Sequence, residues 1–142
     1  MMHQRGVFLL VGVLVLSVAG CGEPDPVGRT FPVKGKVTVN GEALKRGSVA
    51  YLPDESKGNT SKFSPSGDIG EDGTYELKTR NKPGAPPGAY KVIVVSRTDV
   101  DSTKPTAYKN LVPPIYSAKD KTPLEREVKE GAPAGAYDLD LK

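Results

Sequence analysis

The chain has 142 residues, with 20 Lys and Arg against 17 Asp and Glu, one His and one Cys, for a formal net charge of +3. That length suits one ordinary domain. The charges are dispersed and nearly balanced, which excludes the basic patch that nucleic acid binding requires. A lone cysteine excludes an internal disulfide framework.

The N-terminus begins with a single positive charge, Arg5, followed by Val7 to Val15, apolar except for Gly12. Leu16-Ser17-Val18-Ala19-Gly20-Cys21 closes the run with small residues before the cysteine. A charged start, an apolar stretch of this length and small residues at the cut form a secretory signal peptide over residues 1–20. The run is too short for a spanning helix, which needs about 20 apolar residues. Cleavage is expected between Gly20 and Cys21. The sequence at the cut resembles the lipobox of bacterial lipoproteins. That resemblance implies a diacylglyceryl group and acyl chains such as palmitate on Cys21, a membrane anchor, and a place in the cell envelope outside the cytoplasm.

Loss of the leader removes His3 and Arg5, leaving 19 basic and 17 acidic residues over 21–142. The remaining chain has no histidine and no free thiol. Ser-His-Asp and Cys-His catalysis lack their reagents, as do His- or Cys-ligated metal sites. Catalytic residues, a metal and any cofactor besides the covalent lipid are therefore not expected.

Residues 21–31 are short, polar and rich in Pro and Gly, and read as the lipidated cysteine with a flexible tether. From residue 32 to 142 the chain reads as one domain of strands. Val33, Val37 and Val39 alternate with Lys34, Lys36 and Thr38, the period of a half-buried strand. Asn40-Gly41 is a strong hairpin signal, with a return over Glu42 to Leu44. Gly47 to Leu52 is the next strand, closed by Pro53. Residues 54–66 form a loop. Asp68-Ile69-Gly70 is extended, Asp72-Gly73 turns, and Thr74 to Thr79 is a strand with Tyr75 and Leu77 on one face.

Residues 81–88 form a turn-rich connection. Ala89 to Ser96 contains Val92-Ile93-Val94-Val95, an uninterrupted apolar run that predicts a central strand covered on both faces. Leu124 and Val128 flank Arg126 in a weaker alternation, and Tyr137, Leu139 and Leu141 alternate with Asp138, Asp140 and Lys142. No helical period follows the leader. About seven short strands separated by turn signals predict an all-β, antiparallel β-sandwich.

Three phrases carry a further resemblance: Val33-Lys34-Gly35-Lys36-Val37-Thr38-Val39-Asn40-Gly41 with Leu44, Gly47 and Val49 after it; Asp72-Gly73-Thr74-Tyr75-Glu76-Leu77; and Pro87-Gly88-Ala89-Tyr90-Lys91-Val92. Their order is similar to carboxypeptidase regulatory-like domains, and closest to small bacterial lipoproteins made of one such domain. The resemblance implies a transthyretin-like, Ig-like β-sandwich without catalytic residues. Gly41 and Gly73 are expected in turns. Tyr75 and Tyr90 are expected to bury a ring while the hydroxyl reaches backbone.

The connection from Arg97 to Pro123 is long for a loop, and such connections are usually functional or disordered. One reading packs it across an open sheet edge, with Ile115 as a packing residue. The other makes Tyr108, Leu111, Val112, Ile115 and Tyr116 an interaction surface for an envelope protein. Asp68, Glu71 and Asp72 are turn formers rather than a calcium site. Asn59-Thr60-Ser61 matches the glycosylation acceptor pattern by chance, since a lipobox implies a bacterial envelope. The expected role is that of a membrane-anchored, non-enzymatic lipoprotein with a structural or protein-interaction task. The alternative is a solute-binding module for carbohydrate or peptide.

Overall fold

The computed structural model describes residues 20, 22–99, 103–104 and 108–142. Residues 1–19 of the expected leader, and Cys21, therefore lie outside the described residues.

β1 (Lys34–Val39) turns through Asn40 (φ 51°) and Gly41 (φ 85°) into β2 (Glu42–Ala43). Two positive φ values in succession give the hairpin twist that Asn-Gly favours. β3 (Ser48–Pro53) follows, alternating buried Val49 and Tyr51 with half-buried Ala50 and Leu52. Next come β4 (Ser66–Asp68), β5 (Thr74–Glu76), β6 (Lys78–Thr79), β7 (Lys82–Pro83) and β8 (Gly88–Val95). β9 (Glu125–Val128) and β10 (Leu139–Leu141) complete the set. The described residues thus form ten strands rather than about seven.

They build two sheets. In the four-stranded sheet β1 lies beside β10 and β2, and β5 also pairs with β1; the six-stranded sheet runs β7-β6-β4-β3-β8-β9. Their facing sides make one core. Val33, Val37, Tyr75, Leu139 and Leu141 meet Val49, Tyr51, Tyr90, Val92, Val94 and Val128. Burying each such side chain is worth about 1.5–3 kcal/mol, which is what holds the layers together. The architecture is all-β and sandwich-like.

Three details depart from the sequence reading. First, β1 and β10 pair in parallel, Val37 opposite Leu139 and Val39 opposite Leu141, so the sandwich is not purely antiparallel. Second, Thr74–Thr79 is not one strand. β5 belongs to one sheet and β6 to the other, with buried Leu77 at the corner between them. The corner is tight: a Cβ on Gly67 would lie 2.1 Å from the Glu76 carbonyl oxygen. Third, β8 is not covered on both faces. Tyr90, Val92 and Val94 are buried, while Lys91, Ile93 and Val95 are only half-buried. Chain parity, not the apolar run, decides which residues reach the core.

From Asp25 onward, the segment before β1 lies on the domain. Thr30 Oγ1 donates to the Pro83 carbonyl at 2.9 Å. Phe31 and Ala85 exchange backbone hydrogen bonds of 2.8 and 3.0 Å. Arg29 pairs with Glu130 at 3.0 Å and stacks 4.7 Å from the Phe31 ring centre. Residues 22–24 are exposed.

Candidate functional site

The connection after β8 first folds back on itself. Arg97 and Asn110 form a bridge, Thr98 N donates to the Lys109 carbonyl at 2.9 Å, and Leu111 N donates to Ser96 O at 2.9 Å. A short 3₁₀ turn over Pro114–Ser117 follows. Thr122 Oγ1 donates to Val92 O at 2.7 Å, and Val92 N donates to Leu124 O at 2.9 Å. The segment therefore satisfies the backbone of β8 beyond the end of β9, which is the edge-covering role.

The five surface residues expected from sequence divide accordingly. Val112 and Tyr116 are 3% and 8% exposed and belong to the core. The Tyr116 hydroxyl accepts from Lys142 N at 3.1 Å, tying the turn to the strand end of the other sheet. Tyr108, Leu111 and Ile115 are 43%, 36% and 47% exposed. The packing role expected of Ile115 thus falls to its neighbours. The Arg97 guanidinium sits 4.4 Å from the Tyr108 ring centre, which holds that ring at the surface.

Acidic and basic side chains meet at a second place that the sequence did not single out. The loop after β3 is ordered by Asp54, whose Oδ1 accepts from Ser56 N at 3.1 Å and whose carboxyl is held below its usual range by the Ser56 hydroxyl bond and then its backbone bond. Gly58 takes φ 83° and lets the chain turn to Asn59. Asn59 is buried, accepts from Ser61 N at 3.1 Å and donates through Nδ2 to Ala89 O at 2.8 Å. Its amide is thus used within the fold.

The same loop carries Lys57, which with Lys91 pairs with Glu125. Hydrogen bonds from Lys57 and Lys91 pull the Glu125 carboxyl down to about 2. Beside this trio lies a hollow of about 350 Å³ lined also by Tyr90, Arg126 and Glu127.

Arg126 is the distinctive member. It shares the inward phase of β9 with Val128, so its guanidinium enters the side of the sandwich. Nη2 donates to the Asp138 carbonyl at 2.6 Å and Nη1 to the Glu125 carbonyl at 2.7 Å. Nε is buried with no hydrogen-bond acceptor among the described residues. The signal that could have found it was its place between Leu124 and Val128 in the apolar phase.

Deeper in lies a chain of tyrosines. Tyr75 donates its only hydroxyl hydrogen to the Tyr137 carbonyl. The 3.0 Å contact between Tyr51 and Tyr75 hydroxyls must then have Tyr51 as donor. Burial pushes the Tyr75 hydroxyl up to about 12, opposed by the Tyr51 bond and the Arg126 charge. Tyr51 is pushed up further, by burial first and then by Tyr75. Such neutral, hydrogen-bonded hydroxyls are structural and supply no base near neutral pH. Tyr90 donates to Pro86 O at 2.8 Å, so both expected tyrosine hydroxyls reach backbone.

Asp72 Oδ1 accepts from Thr74 N at 3.0 Å and Thr74 Oγ1 at 2.7 Å, as a turn former does. Among the described residues no three His, Cys, Asp or Glu side chains gather closely enough to hold a metal ion. No family model, curated protein or solved structure matches the chain. What stands is an all-β protein of two packed sheets, with Tyr108, Leu111 and Ile115 exposed along one connection and a charged hollow at Arg126.

Proposed function

We propose that this protein is a lipid-anchored, non-enzymatic lipoprotein of the bacterial cell envelope. Its domain, a transthyretin-like sandwich similar to carboxypeptidase regulatory-like domains, serves a structural or protein-interaction role. The observation that carries this reading is the continuity between the lipobox-like run ending at Cys21 and a docked segment beginning at Asp25. Acylation at Cys21 would hold the sandwich close to a bilayer, and stable anchoring takes more than one acyl chain. The exposed Tyr108, Leu111 and Ile115 supply a surface for an envelope partner, since aromatic and large aliphatic groups anchor interfaces.

The alternative, a solute-binding module, draws on the hollow where the Arg126 Nε lacks an acceptor among the described residues. A small anionic solute or a peptide carboxylate would suit that donor better than a sugar, since the chain has no Trp for stacking.

The test is metabolic labelling with palmitate and an intact mass of the purified product. The expected result is a labelled chain beginning at Cys21, with label and membrane association both lost in Cys21→Ala. A mass retaining residues 1–20, or equal labelling of the variant, would refute the anchor. Affinity capture from detergent-solubilised envelope then compares the parent with Tyr108→Ala/Leu111→Ala/Ile115→Ala. Enrichment of a protein lost with the variant supports the interaction role, and an identical capture profile counts against this surface.

A further inference from the structure

The face of the domain beside the tether has a composition of its own. Two shallow hollows, of about 540 and 500 Å³, both include Pro26 and Val27 and so form one continuous surface. One runs over the Arg80-Asn81 turn and Lys82, the other over Lys62, Phe63 and Pro86. Three cations thus border it against a single acid, Asp25, whose carboxylate is 2.6 Å from Lys82 Nζ. Lys62 and Arg80 have no ion-pair partner among the described residues and are exposed.

Arg80 also occupies the left-handed region with φ 56°. That position in a two-residue hairpin favours Gly, Asn or Asp. Here it carries a long cation whose guanidinium sits 5.6 Å from the Phe63 ring centre. The arrangement is amphipathic: apolar Pro26, Val27 and Phe63 with cationic tips around them.

Chain length fixes where this face would sit. Four residue steps separate Cys21 from Asp25, and a fully extended chain covers at most about 14 Å over that distance. Asp25 is held to the same face through Lys82. Unpaired cations brought this close to anionic headgroups lie within roughly one or two Debye lengths, about 8 Å each at physiological salt.

We propose that this face, built around Pro26, Val27, Lys62, Phe63 and Arg80, docks on anionic phospholipid headgroups next to the anchor and sets the orientation of the sandwich. The inference rests on the lipid-anchor reading of Cys21. It assigns the docked residues 25–31 a purpose: a stiff link converts a point attachment into a defined pose, with the connection over Tyr108 to Ile115 left free for a partner.

The chain contains no Trp, so Phe63→Trp introduces a single indole reporter, and Val27→Trp provides a second if the first disturbs folding. The full processed protein, purified from membranes with its lipid, is reconstituted into phosphatidylcholine vesicles with or without phosphatidylglycerol. Both vesicle types carry a headgroup-proximal spin label. The expected result is strong quenching of the indole only when phosphatidylglycerol is present, relieved by high salt. Lys62→Glu/Arg80→Glu should reduce the docked-to-undocked ratio at least roughly thirtyfold, from about a fivefold loss per neutralised cation compounded over two sites and added repulsion from the reversed charges, while the protein still floats with the vesicles. Equal quenching in both vesicle types, quenching in neither, or quenching untouched by charge reversal would overturn the docking face and leave the anchor intact. A chain that floats with neither vesicle and carries no acyl mass on Cys21 would overturn the anchor reading, and this inference with it.

Discussion

Removal of one oxygen, in Tyr75→Phe, tests whether the buried tyrosine chain orders the core. Tyr75 is the relay. It accepts from Tyr51 and donates to the Tyr137 carbonyl, and both tyrosine rings are almost wholly buried. The substitution breaks two hydrogen bonds and strands a donor at Tyr51 and an acceptor at Tyr137. A buried group left without a partner costs roughly 1–3 kcal/mol, so a total of about 2–4 kcal/mol is expected. Tyr51→Phe breaks only the first bond and leaves the second in place, so its cost should be nearer 1 kcal/mol. Urea unfolding of both variants, followed by far-UV circular dichroism, measures the difference. A Tyr75→Phe variant no less stable than Tyr51→Phe would refute the relay.

Alkali should destabilise the domain in a defined window. Tyr75 keeps its proton up to about 12 when folded, whereas an unfolded tyrosine loses it near 10. Because the folded value is raised, stability is full below about pH 10 and falls as pH rises towards 12, by up to about 1.4 kcal/mol per pH unit for each such tyrosine. Tyr51→Phe should make that fall shallower in unfolding curves taken at successive pH values; an unchanged slope would refute it. Acid should act on the loop after β3. Glu125 is held down to about 2 by Lys57 and Lys91, so those pairs are intact above the ordinary carboxylate value and are lost as pH falls towards 2. Protection of the Gly58 and Asn59 amides against hydrogen exchange, relative to the intrinsic rate at each pH, should fall there, and Glu125→Gln should show the same loss of protection at neutral pH. Tyr116→Ala should cost about 3–5 kcal/mol in thermal unfolding, whereas Ile115→Asp should cost less than about 0.5 kcal/mol. Reversed order would contradict the edge-covering role given to Tyr116.

The fold was legible wherever neighbours in sequence carry the signal. The alternation of Val33 with Val37, the Asn40-Gly41 turn and the phase of Leu139 with Leu141 are local, and all three correspond to observed elements. The corner at Leu77 was not legible, because an alternating run looks the same whether its two halves join one sheet or two. The Arg80-Asn81 hairpin was hidden by an arginine standing where turn chemistry prefers a smaller residue. The parallel pairing of β1 with β10 and the meeting of Lys57 with Glu125 depend on registers between distant segments, which no local window contains. For the surface residues, the run from Leu111 to Tyr116 gave no strand parity from which to divide buried Tyr116 from exposed Ile115.

The parallel pairing of the first long strand with β10 carries a consequence for the order of folding. Val37 and Leu139 are about as far apart in sequence as two residues of this domain can be, yet they are direct neighbours. Until the segment around Leu141 has been synthesised and delivered, β1 lacks one of its partners and its edge stays open. Closing so large a loop is entropically costly and comes late. A chain of this design stays incomplete through most of its synthesis, and snaps shut only once its last strand has arrived.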